Sequence, residues 1–230
     1  MKILVVIPAR SGSKSLPHKN IMDFRGKPML AWSINHALES KHYSKMRVIV
    51  STDCKNYASI AKAHGAEVPF LRPLEIAQDD STDLECMQHA LDALKSSDNY
   101  VPDFVVHLRP TQPCRTTELL DNCIDLFIKS KTTHTSLRTI IPLAKSPFKM
   151  YTITDMELVP VCREINGIKE PYNLGRQQLP DAYLHNGYVD IISTGTIVNG
   201  SMTGNKILPY VMEETEDIDI DSAEDLARAK

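Results

Sequence analysis

The sequence predicts an α/β fold, a mainly parallel sheet wrapped by helices, and three observations carry that prediction. A β-branched apolar run over residues 3–7 reads as a strand buried on both faces. The run empties directly into a small polar loop, as strands of such sheets do where ligands bind. Beyond it, strand-like runs alternate with helical stripes. At 230 residues the chain fits one large domain with a substantial core.

After the loop, Pro28 stands where a helix begins, and Leu30, Ile34, Ala37 and Leu38 form its apolar stripe. Residues 47–50 predict a second strand, ending in Ser51, Thr52 and Asp53. Tyr57, Ile60, Ala61 and His64 share a helical face stopped by Gly65. Residues 66–71 read as a short strand leading to Arg72 and Pro73. A cap over residues 80–83, acidic in its first turn, starts a helix that runs to about Lys95. Residues 104–108 form the next strand, and Thr116 caps a helix carrying Leu119, Leu120, Cys123 and Phe127. Residues 135–141 read as another strand. From Pro142 to about Tyr183 periodicity fades, and a segment this long without clear structure is functional or mobile. Strands over 188–192 and 207–211 and a helix over 222–230 complete the chain.

A net charge of −3 argues against a nucleic-acid-binding face, so basic clusters are local devices. Five cysteines, odd in number and without a C-x-x-C pair, fit reduced thiols better than a disulfide frame or zinc site. No apolar stretch approaches membrane-spanning length, and the N-terminal run is too short for a signal peptide core. These features predict a cytoplasmic protein with no membrane partner.

The first loop concentrates Arg10, Lys14, His18 and Lys19 among Ser11, Gly12, Ser13 and Ser15. Small residues let backbone N–H groups approach an anion, and cations at the end of a first strand suit a polyphosphate. The alternative is a solvated basic turn, which does not require cations so closely interleaved with Gly and Pro. A Walker A loop is excluded, because the two positions that pattern reserves for glycine hold Pro8 and Ser13. The dinucleotide fingerprint is excluded too, since the next glycine after Gly12 is Gly26.

An acidic run covers residues 213–221. In an extended chain Asp217, Asp219 and Asp221 share one face, with Ile218 and Ile220 turned to the core. Crowded carboxylates are costly unless a cation neutralises them, and such oxygen ligands suit Mg²⁺. The alternative is a solvated strand end with Asp221 capping the last helix. Beside a phosphate loop the metal reading is the better one.

Residues 7–20 resemble the signature of the acylneuraminate cytidylyltransferases, the CMP-sialic acid synthetase family. Blocks at 50–53, 71–73, 108–113, 176–180, 186–187 and 218–222 follow in the family's order and extend across nearly the whole chain. The resemblance implies a Rossmann-like three-layer αβα nucleotidyltransferase fold over 1–230. It also implies a protruding arm over 142–183 that packs against a second subunit of a homodimer and reaches the neighbouring site. The implied reaction transfers a nucleoside monophosphate, CMP from CTP, to the anomeric hydroxyl of a nonulosonic or related 2-keto-3-deoxy acid sugar, releasing pyrophosphate. Some relatives use GTP. Ala9, Arg10, Ser11, Gly12, Ser13, Lys14, Lys19, Asn20 and Arg72 are then the nucleotide-binding set, with Asn20 touching base or ribose. Asp219 and Asp221 would hold Mg²⁺, and with Arg10, Lys14 and Lys19 they form the catalytic set. Arg109, Gln112, Lys149, Arg176, Gln177 and Asn186 fall at sugar-site positions, and Arg163 is a weaker candidate.

Three positions depart from the family pattern: Arg109 where glutamine is common, Asp83 where a hydroxyl is common, and Tyr188 to Asp190 after Asn186 and Gly187. Exchanging an amide for a guanidinium changes both charge and hydrogen-bond inventory. The departures imply the same reaction class on an acid sugar other than N-acetylneuraminate. Because Asp219 and Asp221 also make a D-x-D pattern, a metal-dependent glycosyltransferase is the rival enzyme; a non-catalytic nucleotide-binding protein is the rival outside enzymes.

Overall fold

The computed structural model describes residues 1–14, 16–213 and 218–229. The chain opens with β1 (Ile3–Pro8), then a small hairpin of β2 (Asp23–Phe24) and β3 (Lys27–Pro28) leads into α1 (Met29–Leu38). There follow β4 (Met46–Ser51), α2 (Lys55–Ala63), α3 (Asp83–Asp98), β5 (Phe104–His107), α4 (Thr117–Ser130) and β6 (Ser136–Pro142). Two short ribbons come next, β7 (Tyr151–Thr154) with β8 (Glu157–Pro160), and β9 (Glu164–Ile165) with β10 (Ile168–Lys169). The last elements are β11 (Tyr183–Ser193), α5 (Thr194–Val198), β12 (Ile207–Val211) and α6 (Ala223–Ala229).

The central sheet runs β12-β6-β11-β5-β1-β4. β1 pairs in parallel with both β4 and β5, while β11 is antiparallel to β5. The alternation of strand side chains explains the unbroken apolar run of β1. Ile3, Val5 and Ile7 join Leu30 and Ile34 of α1, Tyr57 of α2 and Leu120 of α4 in one core. Leu4 and Val6 join Met87, Ala90 and Leu94 of α3 and Ile197 of α5 in the other. Helices thus cover both faces, giving the three-layer α/β arrangement that the sequence predicts. Each fully buried aliphatic side chain contributes roughly 1.5–3 kcal/mol by burial.

Most predicted elements form within a few residues of their expected bounds. α3 begins one residue after Thr82, whose hydroxyl accepts from the Glu85 N–H (3.2 Å) while the Glu85 carboxylate accepts from the Thr82 N–H (2.7 Å). This reciprocal box satisfies two otherwise orphaned donors. The strand expected over 66–71 does not form; only Glu67 makes an isolated bridge, to Ile49. Pro69 lacks an N–H and cannot continue the ladder.

The chain divides into two compact units, residues 1–139, 187–210 and 218–230 in the first, and 140–186 with 211–217 in the second. The second unit thus takes in the expected 142–183 segment and the later stretch 211–217, of which 214–217 lie outside the described residues. It is built from the two ribbons and short turns. The β7–β8 ribbon turns through Asp155 and Met156, both at positive φ (49° and 66°), and β9–β10 through Asn166 and Gly167 (50° and 79°). Positive φ at both central residues is the backbone of a tight hairpin turn.

Candidate active site

The basic loop is held from three sides. Ala9 donates its N–H to the Ser51 carbonyl (2.9 Å), continuing the β1–β4 pairing. Asp53, just beyond β4, accepts from both the N–H (2.8 Å) and the hydroxyl (2.6 Å) of Ser11. The Asn20 amide donates to the Arg10 carbonyl (2.9 Å). Asn20 therefore braces the loop while also lining the cleft. A Cβ at Gly12 would meet nothing within 4 Å, so the chain's own packing does not require a glycine there.

A cleft of about 350 Å³ opens beside this loop at the carboxyl ends of β1 and β5. Pro8, Arg10, Ser13, Lys19 and Asn20 line it with Arg72, Asp83, Arg109, Asp219 and Asp221. Arg72 is buried, its Nε donating to the Ser51 hydroxyl (3.0 Å) and another guanidinium nitrogen to the Ser51 carbonyl (2.6 Å). The cations carry internal partners. Arg10 lies 2.9 Å from Asp79, Lys14 also pairs with Asp79, and Lys19 Nζ lies 2.5 Å from Asp221. The Lys14 hydrogen bond, joined by Arg10, holds the Asp79 carboxyl below the usual range.

The acidic segment alternates as predicted. Ile220 is buried against Phe24, Met29 and Leu226, and its N–H donates to the Thr111 carbonyl (3.0 Å). The Ile218 N–H donates to the Tyr188 hydroxyl (2.5 Å), and Asp219 and Asp221 are exposed along the cleft. Asp217 lies outside the described residues. Among the described residues no three His, Cys, Asp or Glu side chains group as a protein-only metal cage. Mg²⁺ needs no such cage, since one or two carboxylates with substrate phosphates and water suffice. Asp219 and Asp221 fit that donor set.

The cleft floor joins all three departing positions. One Arg109 guanidinium nitrogen donates to Asp190 (2.8 Å) and the Gly187 carbonyl (3.2 Å), and the other to Asp83 (3.0 Å). Burial raises the Asp83 carboxyl, but His107, charged only in the acid range where Asp83 itself titrates, and Arg109 outweigh it and hold the group below its usual range. His107, itself fully buried, is pushed down to about 4 by burial, so at neutral pH it is uncharged. Behind the floor, buried Arg115 donates to the carbonyls of Tyr188 (2.6 Å) and Arg109 (3.1 Å) and the Ser33 hydroxyl (3.2 Å). Burial pushes its guanidinium down to about 9.

The remaining sugar-site candidates fall elsewhere. Gln112 is fully buried, its N–H donating to the Arg109 carbonyl (3.3 Å) and its carbonyl accepting from the Arg115 N–H (3.3 Å). Arg176 and Gln177 line a separate pocket of about 540 Å³ within the second unit, with Ser146, Leu179 and Tyr183. Lys149 ends a short turn of that unit, Asn186 is buried with its amide 3.4 Å from the Met212 sulfur, and Arg163 lines a further hollow with Glu164 and Tyr172. Asp79, His107 and Arg115 were not singled out in the sequence, and Asp53 was noted only as the end of its strand and block. The pair Asp79 and Asp80 was a visible acidic signal, whereas nothing local marks Arg115 as buried.

A family model described as cytidylyltransferase matches residues 4–157. A pseudaminic acid cytidylyltransferase of Campylobacter jejuni is 36% identical over 131 residues, 57% of this chain and 55% of that protein. A CMP-N,N'-diacetyllegionaminic acid synthase of Legionella pneumophila is 37% identical over 147 residues, 64% of this chain and 61% of that protein. The matched stretch therefore spans little more than half the length of these relatives. Among solved structures, a CMP:2-keto-3-deoxy-manno-octonic acid synthetase complexed with CTP shares the fold, with a TM-score of 0.68 at 14% identity over 99% of this chain and 96% of that one.

Proposed function

The chain belongs to the cytidylyltransferase family, and from that premise we propose that it transfers CMP from CTP to the anomeric hydroxyl of a nonulosonic acid sugar, releasing pyrophosphate with Mg²⁺ as cofactor. One observation supports this above others: Arg10 and Lys19 share a single cleft with Asp219 and Asp221. Cations there meet phosphate oxygens, and the carboxylates suit a divalent ion.

The chain's own side chains do the positioning. For the triphosphate to bind, Arg10 and Lys14 exchange Asp79 for phosphate oxygens, and Lys19 exchanges Asp221. These cations then face the charge that builds on the leaving pyrophosphate, so catalysis is placement and electrostatic stabilisation. Arg72, fixed on Ser51, is rigid enough to orient the nucleotide. Mg²⁺ held by Asp219 and Asp221 would neutralise phosphate charge and acidify the attacking hydroxyl.

The same reading makes the enzyme a cytoplasmic homodimer assembled through the second unit. The β7–β8 ribbon exposes Ile153 (77%), Met156 (98%) and Leu158, an apolar surface expected to be covered. Among the described residues no helix is long and apolar enough to cross a membrane, and all five cysteines are free thiols.

Pyrophosphate release is the test, with CTP or GTP against N-acetylneuraminic, pseudaminic, N,N'-diacetyllegionaminic and 3-deoxy-manno-octulosonic acids, with and without Mg²⁺. Release requiring CTP, one acid sugar and Mg²⁺, and falling at least 100-fold in Asp219→Asn and Asp221→Asn, is expected. Full turnover in either variant removes the metal assignment; release with GTP alone replaces the nucleotide; no release from any pair rejects the function.

A further inference from the structure

We infer that Arg109 bridges two carboxylates instead of binding the sugar's acid group, and that the bridge fixes Asp83 in the cleft floor, where it accepts a hydrogen bond from a neutral N–H or O–H group of the substrate. The inference rests on the proposed synthetase reading and refines it. Three of the guanidinium's five N–H donors are committed: one terminal nitrogen serves Asp190 (2.8 Å) and the Gly187 carbonyl (3.2 Å), the other terminal nitrogen serves Asp83 (3.0 Å). Gly187 confines it further, since a Cβ there would stand 2.8 Å from the guanidinium nitrogen.

Charge points the same way. Asp83 and Asp190 meet two guanidinium groups, Arg109 and Arg138, the latter 3.8 Å from Asp190. Two carboxylates therefore already share the Arg109 guanidinium, and the nearby Arg115 is buried and commits its donors to the Tyr188 and Arg109 carbonyls and the Ser33 hydroxyl. A substrate carboxylate at Arg109 would also lie beside two like charges, and such placements are repelled. The two bridged acids differ in access. Asp190 is 1% exposed and meets no ligand, whereas the Asp83 side chain is 44% exposed and lines the cleft. Arg109 binds the Oδ2 of Asp83, which leaves Oδ1 as an acceptor. A fixed, ionised carboxylate accepts hydrogen bonds and donates none, so it selects a donor group and rejects an acceptor at that point.

Two measurements on the purified protein test this. Urea unfolding of Arg109→Gln, Asp83→Asn and the double variant reads the bridge without any ligand. The double variant is expected to unfold at the midpoint of Arg109→Gln within error; a fully additive loss overturns the bridge. Titration calorimetry with CTP and with the acid sugar that the wild type binds reads the second half. Asp83→Asn is expected to weaken one of the two ligands at least tenfold, and Arg109→Gln to weaken that same ligand. The preference of Arg109→Gln for the acid sugar over its carboxamide is expected to match the wild type within twofold. Unchanged affinities in Asp83→Asn, or a tenfold collapse of the acid preference in Arg109→Gln, overturn the assignment. Lack of any wild-type binding is different: it rejects the synthetase reading, while the unfolding cycle still decides the bridge.

Discussion

His107 ends β5 with no exposed surface, and neither ring nitrogen has a hydrogen-bond partner among the described residues. Burial lowers its pKa from 6.5 to about 4, despite Asp83 and Asp190 lying 3.9 and 3.8 Å away. The unfolded chain therefore takes up this proton first as pH falls. Stability is fully present above the unfolded value of 6.5 and is lost as pH drops towards 4. At pH 5 the linkage factor for such a pair of values is roughly 30, against about 1.3 at pH 7, a loss of about 2 kcal/mol. Urea unfolding followed by the fluorescence of Trp32, the single tryptophan, measures it. The variant His107→Gln cannot titrate and should lose about 2 kcal/mol less than the wild type between pH 7 and 5. His36, pushed down to about 3 mainly by burial, is present in both proteins and cancels. Equal losses in wild type and variant would refute the reasoning.

Two further substitutions probe the floor of the cleft. Arg115→Met removes the donors to Tyr188, Arg109 and Ser33 and should cost about 2–4 kcal/mol in urea unfolding; an unchanged midpoint would mean those carbonyls find other donors. Gly187→Ala puts a side chain at φ 71° and against the Arg109 guanidinium, so a loss of about 1–2 kcal/mol is expected, and no loss would show that Arg109 swings away freely.

Much of this was readable because it rests on local rules. The β1 run, the Thr116 cap and the alternation of Ile218 to Asp221 follow from periodicity and capping, and each appears where expected. Asn166 and Gly167 were an equally plain hairpin signal that the fading periodicity around them obscured. The Asp155–Met156 turn carries no such signal. The ionic floor was not legible. Asp83, Arg109 and Asp190 were conspicuous singly, but their pairing spans separations of 26 and 81 residues, and only the sheet order brings them together. Arg115 was hidden for the same reason: its burial is a property of packing between β11 and α1, not of its neighbours in sequence.

The pairing of Arg10 and Lys14 with Asp79 makes the loop an ion exchanger in place of an open positive patch. A bare patch would collect any polyanion in its surroundings. Here an incoming anion has to displace the one tethered carboxylate, Asp79, that both cations share, so a lone carboxylate or a thinly charged polymer gains little. On the proposed reading, a triphosphate, which concentrates its charge in a small volume, is the anion suited to that exchange. The proposed function would then carry a preference for dense charge in the loop itself, ahead of any contact with nucleobase or sugar.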